Sequence, residues 1–202
     1  MARSIRRHAQ AAQQNGPMKT EKDILRQSVR KQVAQVPSSV RRERSAQVTQ
    51  LLLSRPEWQE ATAIMAFLPL ADELDLRPAL EAALAESKSV MLPCFSPKEA
   101  CYRAAQITSF LDLIPGNFGI LEPHPNSPVF PLKRLDFVLV PGVAFAPNGH
   151  RLGRGKGFYD RLLANVTGVK CGVAQDEQIV SVLPAEPHDI AMDFILTPTR
   201  WL

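Results

Sequence analysis

The 202-residue sequence has no run of about 18 apolar residues, the length a helix needs to cross a bilayer, so nothing in it reads as a membrane span. Its N-terminus is basic but has no apolar stretch behind it, which argues against a secretory signal. Cysteine is scarce. Cys94, Cys101 and Cys171 are odd in number and form no C-x-x-C pair, which argues against both a disulfide framework and a zinc site. That pattern suits a reducing, cytoplasmic setting. Aromatic residues make up 6% of the chain and are absent from residues 1–55, so the basic N-terminal region lacks the stacking surface an RNA reader uses. What is present is the balance of a globular protein, with 45% hydrophobic and 22% charged residues. A chain of this length buries most of its apolar surface without disulfides or structural metals, and fits one domain.

Charge is distributed unevenly. The net charge is +4, but residues 1–55 carry 12 of the 24 Lys and Arg and only Glu21, Asp23 and Glu43 as acids, so they hold +9 and the remainder −5. Such a basic head is compatible with nucleic acid, an acidic membrane surface, a phosphorylated small molecule or a solvated helix face, and charge alone leaves these open.

Residues 1–17 are polar, rich in Gln and Arg, and end in Gly-Pro, the texture of a mobile extension. From Lys19 to Val36 the spacing predicts a helix with Ile24, Leu25, Val29 and Val33 on one face, stopped by Pro37. Ser38 or Ser39 is expected to cap a second helix running to about Ser54, with Val40, Val48, Leu51 and Leu52 inward. Beyond Trp58 come short apolar runs at 62–68, 90–95, 137–145, 169–174 and 194–197, with helical patterns clearest at 76–87 and 159–165. Apolar strands alternating with helices predict an α/β domain over residues 18–202, a mostly parallel open sheet with helices on both faces. Ligands of such folds sit beyond the carboxyl ends of the strands. Residues 115–131, dense in Pro, Gly and Asn, read as a long surface loop, and Trp58 and Trp201 as packing residues.

One stretch carries chemistry: Arg151-Leu-Gly-Arg-Gly-Lys-Gly-Phe-Tyr-Asp160. Gly153, Gly155 and Gly157 alternate with Arg154 and Lys156 just before a helical pattern. Glycines let the backbone approach a ligand, and free N–H groups ahead of a helix form a concave anion site. Arg154 is suited to fork onto two phosphate oxygens, while Lys156 acts as a mobile point charge. Asp160, in the first helical turn, is placed to hold Mg²⁺ bridging nucleotide phosphates. The loop is neither a P-loop nor a dinucleotide loop, since both glycine spacings are wrong. A glycine-rich turn with solvated cations is the alternative reading.

The longer run from Pro141 to Asp160 resembles the signature of the 5-formyltetrahydrofolate cyclo-ligases, or methenyltetrahydrofolate synthetases. Lys22-Asp-Ile-Leu-Arg26, Phe67-Leu68 with Asp72-Glu73-Leu74, Asp176 to Ile179, His188-Asp189, Asp193 and Thr197-Pro198 agree with it. The resemblance spans nearly the whole chain after residue 18 and implies the fold shared with sugar-phosphate isomerases and CoA transferases. It implies that Lys22, Arg26, Arg151, Gly153, Arg154, Gly155, Lys156, Gly157, Phe158 and Tyr159 contact ATP. By the same resemblance Leu68, Glu73, Arg154 and Phe158 meet the folate, Asp160 and Asp189 bind Mg²⁺, and Arg154, Lys156 and Tyr159 serve catalysis. Two positions depart from the pattern. Phe158 stands where many relatives have Tyr, and Pro69 follows Leu68 where relatives often have Ser. Both bear on the folate pocket rather than on the reaction.

The implied reaction takes 5-formyltetrahydrofolate, with or without a polyglutamate tail, and ATP to 5,10-methenyltetrahydrofolate, ADP and phosphate. A formamide oxygen leaves poorly; phosphorylating it lets N10 of the same molecule displace phosphate. The nucleophile is intramolecular, which accords with a sequence holding cations, glycines and a metal-suited Asp but no Ser/His/Asp or Cys/His set. No nucleic-acid or membrane partner is expected, and the domain is expected to act as a monomer. An RNA-associated relative, or an isomerase or acyl transferase on the same scaffold, are the rival readings; neither of the latter consumes a nucleotide.

Overall fold

The computed structural model describes residues 21–116, 121–186 and 188–202, so the extension expected at residues 1–17 lies outside the described residues. Helix α1 covers residues 21–34 and ends before Pro37, whose fixed φ and missing N–H stop it. Helix α2 (Ser38–Leu53) starts directly after Pro37, and no side chain caps it. The serines expected to cap it lie inside its first turn instead. A one-turn helix α3 (Pro56–Glu60) leads into β1 (Ala63–Met65), followed by α4 (Arg77–Ala85) and β2 (Ser89–Ser96). Then come β3 (Cys101–Ile107), a small β4–β5 pair (Leu113–Pro115, Leu121–Pro123), β6 (Val129–Phe130) and β7 (Phe137–Pro141). A hairpin of β8 (Ala144–Phe145) and β9 (Arg151–Leu152) precedes α5 (Phe158–Leu163), β10 (Val169–Val173) and β11 (Phe194–Leu196).

The main sheet has the order β11-β10-β7-β1-β2-β3-β6. Its five strands from β11 to β2 are parallel, and β3 and β6 add an antiparallel edge. The pleat sorts the core. Ile64 and Ala66 point to a cluster with Val48, Leu52, Leu76 and Leu80 from α2 and α4. Ala63 and Met65 point the other way, to Leu162 and Leu163 of α5. Each of the Val, Leu, Ile and Met side chains among them contributes roughly 1.5–3 kcal/mol on burial. Trp58 is 1% exposed and meets Phe137 edge-on at 5.6 Å, as expected of a packing residue. No helix among the described residues is long and apolar enough to cross a membrane.

Three further sequence expectations need correction. The apolar run 137–145 is two strands, split at Gly142 and Val143, and its second half belongs to a separate hairpin. The loop expected at 115–131 contains the short strands β5 and β6. Ile24, expected on the buried face of α1, is 65% exposed, whereas Val29 and Val33 are buried against Val143, Ala144, Leu152 and Leu183. With only a small cluster beneath it, α1 is held to the body as much by polar contacts as by apolar ones.

Candidate anion and substrate site at the carboxyl end of the sheet

The glycine-rich loop follows β9 and feeds α5, whose N-cap is Gly157 in the left-handed conformation at φ 62°. Gly155 is also left-handed, at φ 98°. Side chains at either position would be strained, so the loop's turn into the helix requires glycine there. The rest of the loop is pinned from below. Arg151, with its side chain 3% exposed, donates to Asp160 Oδ1 at 2.6 Å and to the Pro141 carbonyl at 3.4 Å. The structure thus puts Arg151 beneath the loop, tying the β8–β9 hairpin to the first turn of α5. Arg154 and Lys156 stand exposed on the loop itself.

Helix α1 meets this loop from the side, as Lys22 and Arg26 lie one turn apart. Arg26 Nε donates to the Gly153 carbonyl at 2.9 Å, and its guanidinium lies 3.6 Å from where a Gly155 side chain would begin. Lys22 reaches the C-terminal segment, donating to Glu186 at 2.8 Å and Asp189 at 3.2 Å. Burial works against the Lys22 charge, but these two hydrogen bonds outweigh it and raise its pKa above the ordinary lysine value. Lys22 is therefore cationic at any physiological pH.

Arg154 Nη2 donates to Glu73 Oε1 at 2.9 Å, joining positions 81 residues apart. The other oxygen of Glu73 accepts from the Leu70 N–H at 3.0 Å, fixing the turn after β1. Leu68 and Glu73 line a cavity of about 430 Å³, and Glu73 also borders a small crevice at the carboxyl ends of β1, β7 and β10. Burial, with the Glu73 charge adding to it, pushes the Tyr159 hydroxyl well above the usual phenol range, so it stays protonated.

Sequence reasoning missed an aromatic wall around Phe158. Phe95 and Tyr102, paired across β2 and β3, lie 5.3 and 5.4 Å from its ring. Lys156 Nζ sits 5.9 Å from the Phe158 centroid and the Arg161 guanidinium 5.0 Å from it. Phe158 is thus bound into the wall by its ring, a role that requires no hydroxyl. Gln175 and Gln178 were also not singled out. Fully buried, Gln175 donates to the Asp72 carbonyl and accepts from Arg44, while Gln178 donates to the carbonyls of Gly142 and Val143. They knit together the loops after β1, β7 and β10.

The two residues expected to bind Mg²⁺ each have a cationic partner, Asp160 with Arg151 and Asp189 with Lys22. Glu186, His188 and Asp189 offer ligand atoms within 4.8 Å of one another, a donor set into which Lys22 already reaches.

A mostly parallel sheet with a glycine-turned cationic loop at its carboxyl end, and a basic helix leaning on that loop, defines an α/β domain. Residues 18–198 match the 5-formyltetrahydrofolate cyclo-ligase family, and the chain belongs to it. It is 33% identical to the Escherichia coli K12 5-formyltetrahydrofolate cyclo-ligase over 78% of this chain and 90% of that protein. A Mycolicibacterium smegmatis relative of the same name is 44% identical over 91 residues, 44% of this chain and 47% of that protein. The solved structure of an Aquifex aeolicus 5,10-methenyltetrahydrofolate synthetase superposes with a TM-score of 0.81 at 34% identity, covering 89% of this chain and 91% of that one.

Proposed function

We propose that this chain converts 5-formyltetrahydrofolate to 5,10-methenyltetrahydrofolate at the expense of ATP, releasing ADP and phosphate. The observation that carries the reading is the convergence of the Gly153–Gly157 loop, Arg26 and Glu73 around Arg154. Arg154 links the nucleotide side to the folate side. Paired with Glu73 before ligands arrive, it is placed to turn toward the formyl oxygen and the transferring phosphoryl group. Lys156 neutralises charge on that group, Arg26 and Lys22 approach the nucleotide from α1, and Gly153, Gly155 and Gly157 let the backbone come close. Glu73 accepts from the folate ring, with Leu68, Phe158 and the protonated Tyr159 as its walls. Arg151 holds the loop in place from beneath. N10 of the substrate supplies the nucleophile, so the protein's part is positioning and charge neutralisation.

Mg²⁺ would be held by the carboxylates of Asp160 and Asp189; oxygen donors of this kind suit it, and it supplies charge neutralisation between phosphates. Asp189 already shares Lys22 with Glu186, so an ion there exchanges one cation for another rather than creating a new charge cluster.

In the basic N-terminal region Lys22, Arg26, Arg41 and Arg44 are bonded to protein acceptors. That favours a small-molecule role without nucleic acid. We infer a cytoplasmic monomer, in keeping with three free cysteines. Mixing the protein with 5-formyltetrahydrofolate and Mg-ATP is expected to raise the near-UV absorbance of the methenyl product in step with ADP. No absorbance growth and no ADP would remove the proposal.

A further inference from the structure

The loop after β1 is tied to the rest of the fold by a side chain that ends one residue short of Glu73. Gln175, which follows β10 and is fully buried, donates from Nε2 to the Asp72 carbonyl at 3.1 Å. It reaches there from two strands away, since β7 lies between β10 and β1. Its Oε1 accepts from Arg44 Nη1 at 3.1 Å, and Arg44, on α2, is forked onto Glu177 at 2.8 and 2.9 Å. A guanidinium only donates, so the amide oxygen faces Arg44 and the amide nitrogen is left for Asp72. Arg44 thereby decides which group the loop receives.

The Asp72–Glu73 peptide is planar, with its carbonyl and N–H on opposite sides. Gln175 holds the carbonyl, while the Glu73 N–H donates to the Leu70 carbonyl at 3.0 Å. The plane from which the Glu73 side chain springs is thus held at both edges. Leu70 belongs to the same loop, so it cannot place that plane relative to the sheet; Gln175 can. Arg41 takes the preceding carbonyl, of Ala71, at 2.6 Å, but through an exposed bond that water can replace. The carboxylate of Glu73 is held in turn by the Leu70 N–H and by Arg154.

We propose that Gln175, oriented by Arg44, is a positioning residue for Glu73, aiming its carboxylate by holding the Asp72–Glu73 peptide. The inference rests on the reading that Glu73 accepts hydrogen bonds from 5-formyltetrahydrofolate. Such bonds weaken steeply with distance and angle, and a peptide released at Asp72 rotates and carries the Glu73 side chain with it. Fully buried, Gln175 acts through the loop rather than on a ligand. Its own backbone is held separately, with the N–H donating to Gln178 Oε1 at 2.8 Å, so a substitution removes the side-chain contacts alone.

The test is calorimetric binding of 5-formyltetrahydrofolate alone and of Mg-ATP alone to the full chain. Four proteins are compared: wild type, Gln175→Met, Glu73→Gln and the double variant. Methionine keeps the length of glutamine and removes both the donor and the acceptor. Gln175→Met is expected to weaken folate binding about fivefold, the size of one hydrogen bond, and to leave Mg-ATP binding unchanged. In the Glu73→Gln background it is expected to add nothing, because its effect passes through Glu73. A merely structural role weakens both ligands alike or adds to the Glu73 loss, and either result overturns the proposal. If Gln175→Met does not fold, Arg44→Met, which frees the amide to turn, is judged by the same criteria. Wild-type folate affinity in Gln175→Met beside a weakened Glu73→Gln removes the positioning role and leaves the reading of Glu73 standing. Wild-type affinity in Glu73→Gln, or no folate binding by the wild type, removes both. If the coupling holds but no methenyl product forms with Mg-ATP, the positioning role stands and the proposed reaction falls.

Discussion

The two ends of the parallel sheet differ in how far their charged side chains answer one another. At the amino end, carboxylates are committed to backbone. Asp136, just before β7, accepts from the Thr62 and Ala63 N–H groups and the Thr62 hydroxyl at 2.8–2.9 Å. Asp193, just before β11, accepts from the Lys170 N–H at 2.7 Å. Each clamps the start of a neighbouring strand, and Lys88 closes the set by donating to the carbonyls of Trp58, Gln59 and Ala61. At the carboxyl end, charged side chains answer one another across distant segments: Arg154 with Glu73, Lys22 with Glu186 and Asp189, and Arg44 with Glu177. Bonds to backbone cannot be exchanged without unravelling a strand. Pairs between side chains can be traded for a ligand's charges, so the carboxyl end is adaptable where the amino end is fixed.

The contrast breaks if charges at the adaptable end prove structural. Lys156→Ala is expected to lower turnover by about 10²–10³-fold, the usual cost of removing one group that stabilises transition-state charge, with little change in melting temperature. A variant that melts early yet keeps full activity makes the loop a structural turn. Asp160→Asn marks where the contrast ends, because Asp160 answers a buried arginine and so is structural although it stands at the adaptable end. Leaving Arg151 with a weakened partner is expected to cost about 3 kcal/mol, or a melting shift of roughly 6–12 °C for a domain of this size. Unchanged melting with a raised Mg²⁺ requirement assigns Asp160 to the metal rather than to Arg151.

The smallest effect belongs to the fixed end. Asp136→Ala is expected to cost about 1–3 kcal/mol at pH 7, with activity per folded molecule unchanged. Burial opposes the Asp136 charge, but hydrogen bonds from Thr62 and Ala63 outweigh it and hold its pKa below the ordinary 3.8. A depressed folded-state pKa gives stability that is present above 3.8 and lost as the pH falls through the lower folded value. The melting gap between wild type and Asp136→Ala should therefore be full at pH 7 and narrower in acid below 3.8. A constant gap would show that shape rather than charge holds the clamp.

The parallel strands were legible because strands buried on both faces read as continuous apolar runs, as β7 does with Phe137-Val-Leu-Val140. β3 was not. Its sequence Cys-Tyr-Arg-Ala-Ala-Gln-Ile is half solvated and includes Arg103, which pairs with Glu99 on the surface. Missing β3 meant missing Tyr102, which reaches Phe158 only because the hairpin register sets it opposite Phe95. The glycine loop was legible as a unit, since its spacing is local. The partner of Arg151 was not, because its burial depends on how the hairpin folds onto α5. Glu73 was expected to meet folate by resemblance alone, and nothing in the sequence indicated that Arg154, 81 residues on, would hold its carboxylate.

The attachment of α1 bears on the order in which the chain assembles. Lys22 finds its carboxylates 164 and 167 residues downstream, and Val29 and Val33 pack on residues from Val143 onward. During synthesis this helix leaves the ribosome well before any of those partners, and closing so long a loop carries an entropic cost that the sheet must first offset. The segment translated earliest among the described residues is thus among the last to dock. The contact between α1 and the glycine-rich loop is therefore expected to form only when nearly all the rest of the molecule has formed.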